Sequence, residues 1–130
     1  MALNRGLADT SVFIARETGR PIQERSIPEE LAVSVITIGE LRAGVLAAAD
    51  TATRDRRLST LSAALALRPM PIDEDVAAAW ARLRLTLRDE GLRMPVNDSW
   101  IAATAMAYDV TIVTQDDDFP SLDLFHVVQV

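Results

Sequence analysis

The chain is predicted to fold as an α/β protein, a three-layer α/β/α sandwich with a mostly parallel central sheet, in one domain over residues 1–130. Three observations lead there. Short β-rich runs alternate with amphipathic helical patterns, the order that builds a parallel sheet covered by helices. The 130 residues lie near the commonest single-domain size, and 49% apolar residues can fill one core. No internal repeat, low-complexity tract or Pro/Ser-rich linker divides the chain.

The elements follow in order. Leu7-Ala8, ahead of Asp9, is a short first strand, preceded by the polar Leu3-Asn4-Arg5-Gly6. Leu31-Ala32-Val33-Ser34-Val35 is a second, bounded by loop residues. Ile38, Leu41, Val45 and Ala48 recur at helical spacing, and after a break at Asp50-Thr51 a second helix carries Leu58, Leu61 and Leu65. Leu67 to Ile72, interrupted by two prolines, makes an edge strand at best. A third helix opens on Asp73 with Glu74 and Asp75 in its first turn. It lines up Val76, Trp80, Leu83 and Leu87, places its arginines late and stops at Gly91. A fourth runs from about Asn97 to Tyr108, where Ala102, Ala103 and Ala105 permit close approach to a sheet. Thr111–Thr114 and Val127–Val130 complete the strands.

Composition excludes several chemistries. All 13 basic residues are arginine, so neither the P-loop lysine nor a Schiff-base lysine is available. Without cysteine there is no disulfide, zinc–thiolate site or thiol nucleophile. A single histidine, His126, in a strand-like run and with no Gly-x-Ser-x-Gly elbow, reads as structural. No apolar stretch approaches the roughly 20 residues of a membrane helix, and the start, Met1 to Ala8, lacks a signal-peptide core. A soluble, cytoplasmic protein is expected. Nineteen acidic residues give a formal net charge of −6, which argues against a sequence-independent nucleic-acid coat but not against an enzyme meeting nucleic acid at a metal-loaded site.

Five carboxylates stand at strand ends or first helical turns: Asp9, Glu40, Asp98, Asp116 and Asp118. In open α/β sheets such positions converge outside the carboxyl ends of the strands. Each also has a plain reading. Asp9 and Asp98 serve as helix N-caps, Thr37 and Glu40 fit a capping box, and Asp116 to Asp118 fit a solvated turn.

Taken together, Asp9-Thr10-Ser11, Val35 through Glu40-Leu41-Arg42-Ala43-Gly44, Asn97-Asp98 with Ile101-Ala102-Ala103, and Thr114-Gln115-Asp116-Asp117-Asp118-Phe119 resemble the ordered acidic motifs of PIN-domain ribonucleases. In length and motif the resemblance is nearest to the VapC toxins of bacterial VapBC toxin–antitoxin modules. It spans Leu7 to Phe119 and departs at the short first strand and at Gly19 to Glu30, where Pro21 and Pro28 suit the expected helix poorly. The resemblance implies a sheet with its first and fourth strands side by side, and phosphodiester hydrolysis dependent on Mg²⁺ or Mn²⁺. Converging carboxylates either protonate or take a hard divalent cation, and donors limited to oxygen select Mg²⁺ or Mn²⁺ over zinc.

On this reading Asp9, Asp98 and Asp116 hold one metal, and Glu40 and Asp118 complete a second or outer shell. Thr10, Ser11 and Thr114 orient carboxylates or a water, or act as cap and strand-end donors. Asn97 contacts a phosphate or caps its own helix. Arg42 is the candidate RNA contact. Arg54, Arg56 and Arg57 form a patch or a solvated helix face, and Trp80 and Trp100 suit core packing better than base stacking. The resemblance further implies a homodimer and a cognate VapB-type antitoxin lying in a groove, part of which Ile38 to Leu67 is the candidate to form. A non-catalytic PIN-like module that binds RNA or protein is the alternative.

Overall fold

The computed structural model describes residues 4–130, so Met1 to Leu3, including the first residue of the Leu3-Asn4-Arg5-Gly6 stretch, lie outside the described residues. Four strands, β1 (Arg5–Ala8), β2 (Glu30–Ala32), β3 (Thr111–Thr114) and β4 (Val127–Gln129), form one all-parallel sheet in the order β2-β1-β3-β4. Five helices surround it: α1 (Thr10–Thr18), α2 (Val35–Ala47), α3 (Thr51–Leu65), α4 (Glu74–Asp89) and α5 (Val96–Tyr108).

Side-chain alternation along the two central strands makes the three layers. Leu7 and Ile112 point to a core built with Leu83 and Leu87 of α4 and Ile101, Ala102 and Ala105 of α5. Their neighbours Ala8 and Val113 point to the opposite core, with Val12 and Phe13 of α1, Leu41 and Val45 of α2 and Leu61 and Ala64 of α3. Burial on both faces is why these strands read as unbroken apolar runs. Gly6 lets β1 sit between its neighbours. A Cβ there would stand 2.6 Å from Cγ2 of Val113 and 2.9 Å from Cγ of Pro28.

Several boundaries differ from the sequence expectations. The second strand ends at Ala32, because the Ser34 hydroxyl accepts the Ile36 amide at 3.0 Å and starts α2 at Val35. Leu67 to Ile72 is reduced to a bridge between Ser34 and Met70. Pro69 and Pro71, flanking Met70, supply no amide to a ladder. The fourth of the expected runs, Thr111–Thr114, is therefore the third strand formed, and it does pair with β1. The first helix, α1, is marked in the sequence only by Asp9 at its start. Gly19 to Glu30 contains one 3₁₀ turn, Glu24–Ser26, as its prolines suggest. On α3 only Leu61 of the expected stripe is buried, while Leu58 and Leu65 are exposed.

The later helices agree more closely. Asp73 accepts the Val76 amide at 2.9 Å to cap α4, and Gly91, with φ +66°, takes the left-handed turn after it. Ala102, Ala103 and Ala105 are buried as α5 packs on the sheet.

Candidate active site

Parallel strands deliver their carboxyl ends to one edge, and the acidic residues gather there. Asp9 follows β1 and is 3% exposed, with its amide bonded to the Val113 carbonyl at 2.8 Å. Its carboxylate does not cap α1. Instead Oδ2 accepts the Ser11 hydroxyl at 2.8 Å and the Thr114 hydroxyl at 3.0 Å, tying β1 to the end of β3. Two hydroxyl donors offset the desolvation of a buried carboxylate.

Glu40 is freed from the expected capping role because α2 begins at Val35, which places Thr37 and Glu40 inside the helix. The capping box does not form. Glu40 Oε1 accepts the Thr10 hydroxyl at 2.7 Å, and Thr10 Oγ1 lies 2.9 Å from Oγ1 of the buried Thr37. A hydroxyl relay thus holds the second acid from behind. Thr37 is a supporting residue that its helix-start reading concealed.

Asp98 is the third residue of α5, not its N-cap, which is Pro95. Asn97 is likewise inside the helix, exposed and not a cap, and it does not line the acidic cavity. Asp116 follows β3, where its amide donates to Thr114 Oγ1 at 3.0 Å. Asp118 is exposed at the rim.

These five carboxylates, with Thr10, Ser11 and Arg20, line one cavity of about 300 Å³. Among the described residues no three of them close into a cluster at coordinating distance. Their mutual repulsion is legible in proton affinity. Burial, and then the charges of Asp9, Asp118, Glu40 and Asp116, push Asp98 up to about 7. Asp116 is also raised, first by burial and then by Asp9 and Asp118, with Arg20 pulling the other way. Carboxylate oxygens, two of them on groups raised by burial and like charge, are the donor type a hard divalent cation takes, so the chemistry of this set fits one.

The expected cationic contacts are redistributed. Arg42 is exposed and does not line the cavity, since two residues of helix turn it roughly 200° from Glu40. Arg57 donates to the Gly44 carbonyl at 2.6 Å and Arg54 to the Ala48 carbonyl at 3.4 Å, so both serve the end of α2. Arg56 pairs with Glu17 at 3.8 Å. Arg20, unremarked in the sequence, is the arginine that reaches the cavity. Trp80 and Trp100 stack on each other with centroids 4.4 Å apart, and Trp80 Nε1 donates to Ser99 Oγ at 3.0 Å, which keeps both in packing roles. His126 contributes its backbone carbonyl to Ile112.

A parallel sheet with acidic residues from four segments at its carboxyl edge defines a class of α/β protein with a carboxylate-lined pocket. Residues 7–124 match the PIN domain family. The chain belongs to that family, in its VapC-type branch. It is 50% identical over 118 residues to Ribonuclease VapC5 of Mycobacterium tuberculosis, covering 91% of this chain and 87% of that protein. It is 48% identical over 130 residues to Ribonuclease VapC4 of the same organism, covering all of both chains. A crystal structure of VapBC-5 from Mycobacterium tuberculosis, a member of the VapBC family of toxin–antitoxin systems, superposes with a TM-score of 0.89 at 44% identity. It covers 98% of this chain and 99% of that one.

Proposed function

We propose that the chain is a Mg²⁺- or Mn²⁺-dependent endoribonuclease, the toxin of a toxin–antitoxin pair. It cuts RNA phosphodiester bonds in the cytoplasm and so arrests translation and growth until a VapB-type antitoxin binds it. The observation that carries this reading is the convergence of Asp9, Glu40, Asp98, Asp116 and Asp118 on one cavity wall. Likeness to relatives named ribonucleases supplies the substrate class.

Asp9, Asp98 and Asp116 would hold the cation, with Glu40 and Asp118 in a second or outer shell. Bound there, a divalent ion would acidify a water and neutralise charge gathering on the phosphate. The chain's own groups prepare the place. Ser11 and Thr114 both donate to Oδ2 of Asp9, and among the described residues no side chain donates to Oδ1. Thr10 fixes Glu40 in the same manner. Asp98, pushed up to about 7, would give up its proton more readily when positive charge arrives.

An antitoxin segment has a neighbouring place to lie. A cavity of about 280 Å³ between α1, α2 and α3 is lined by Ile14, Leu41, Gly44, Arg56 and Arg57 and shares Glu40 with the acidic pocket. Leu41, Gly44, Arg56 and Arg57 belong to the Ile38 to Leu67 unit, and Ile14 to α1. The family resemblance further implies a homodimer.

The test is direct. Asp9→Ala, Asp98→Ala and Asp116→Ala should each abolish RNA cleavage with circular dichroism unchanged. An Asp98→Ala protein that cleaves at the wild-type rate would overturn the site. A tight complex with the candidate antitoxin that cleaves RNA undiminished would remove the occlusion step.

A further inference from the structure

Arg20 lines two cavities at once: the acidic pocket and a larger neighbouring cleft of about 560 Å³, bounded by Pro21, Ile22, Gln23, Gln115, Gln129 and Val130. Among the residues lining the acidic pocket it is the sole cation, and among the described residues it makes no ion pair within 4.0 Å. Arg20 is exposed, so its planar fork can meet a phosphate that arrives beside the carboxylates.

The cleft behind it differs in chemistry from both the acidic pocket and the α1–α3 cavity. Apart from Arg20 no charged side chain lines it. Pro21 and Ile22 offer an apolar surface to a base face, and three glutamines offer amides to a base edge. Two of those amides are anchored. Gln115 Nε2 donates to the Val130 and Pro21 carbonyls, and Gln129 Nε2 donates to the Gln115 carbonyl at 3.2 Å. That leaves Oε1 of Gln129 and the exposed amide of Gln23 to meet a ligand. Gln115 directly precedes Asp116, so the cleft begins one residue from the acidic set.

We propose that Arg20 and this glutamine-lined cleft form a nucleotide subsite, in which Arg20 binds the phosphate next to the scissile one and Gln23 and Gln129 read the adjoining base. The subsite rests on the ribonuclease reading and adds its substrate selection. Neutral amides with mixed donors and acceptors recognise a base edge exposed in single-stranded RNA, whereas a basic stripe would hold backbone alone.

The experiment compares wild type, Arg20→Ala, Arg20→Lys and the double variant Gln23→Ala/Gln129→Ala on a randomised RNA library, with sequencing of the cut ends, and on one good substrate at several salt concentrations. Arg20→Ala should raise KM on the order of tenfold while kcat changes less, and should lower the salt slope of KM by about one; Arg20→Lys should restore the slope but only part of KM. The glutamine double variant should flatten base preference beside the cut at one position only. Mn²⁺ binding measured by calorimetry should persist in all, showing the acidic pocket intact. Arg20→Ala with wild-type KM and salt slope would overturn the subsite, as would unchanged base preference in the double variant. If wild type binds RNA, measured by anisotropy in Ca²⁺, but never cuts it, the ribonuclease reading falls. The subsite then stands or falls on whether Arg20→Ala weakens that binding. Failure of wild type to bind RNA at all overturns both, and preferential capture of the antitoxin by this cleft would reassign it to a protein partner.

Discussion

Replacing Asp98 by asparagine should make the metal-free protein more stable at neutral pH while destroying its activity. Burial and four neighbouring carboxylates lift Asp98 from an ordinary 3.8 to about 7. A displacement of about three units corresponds to at most ~4 kcal/mol against the ionised state, from burial first and the neighbouring charges after it. Because the group is only half-buried and its partners reach water, about 1–2 kcal/mol should survive screening. The sign follows from proton binding. Between pH 3.8 and about 7 the folded chain keeps a proton on Asp98 that the unfolded chain has lost, so stability falls as pH rises through that window. Asp98→Asn removes this dependence. Thermal melts in EDTA should therefore coincide near pH 4 and separate by pH 8, with the variant higher by about 3–8 °C for a chain of this size. Adding Mn²⁺ should invert the order, since wild type gains a ligand and the variant does not. An equal separation at pH 4 and pH 8, or none at pH 8, would refute the account of repulsion at this site.

Four other outcomes can be checked. Exhaustive chelation should silence RNA cleavage and Mg²⁺ or Mn²⁺ should restore it; full activity in EDTA would exclude the metal reading. Thr114→Val removes one of two hydroxyl donors to buried Asp9, and should cost about 1–3 kcal/mol in denaturant melts and at least tenfold in cleavage rate. Ser34→Ala removes the α2 cap, with an expected loss of about 1 kcal/mol and little change in cleavage, because Glu40 lies beyond the first turn. Gly6→Ala drives a methyl to 2.6 Å from Val113 and should destabilise by about 1–3 kcal/mol, seen as a lowered Tm.

Much of the architecture was legible because apolar periodicity and caps are local signals. Asp73 and Gly91 bracket α4 as their types suggest, and the small residues of α5 meet the sheet. Where the reading slipped, a local signal had two solutions. Thr37 and Glu40 satisfy a capping box on paper, but Ser34 three residues earlier captures the helix start, because its hydroxyl and the Met70 bridge act together. Arg42 sits in the right motif but on the wrong side of its helix. Arg20, outside every motif, is carried to the pocket by the end of α1, a helix whose nine residues leave too short a period to read.

The sequence by itself determined the α/β class and picked out the five acids, since strand ends and first turns can be found from residue type and spacing. The net charge of −6 was equally plain, and without those five the acidic and basic residues differ by one. Only the tertiary structure decided that the acids face one cavity, which of them gives up ionisation, and which arginine stands beside them. Those outcomes depend on strand order, on the angle at which α1, α2 and α5 leave the sheet, and on dielectric surroundings. All three arise from contacts between residues up to about a hundred positions apart, such as Thr114 with Asp9, which no local window contains.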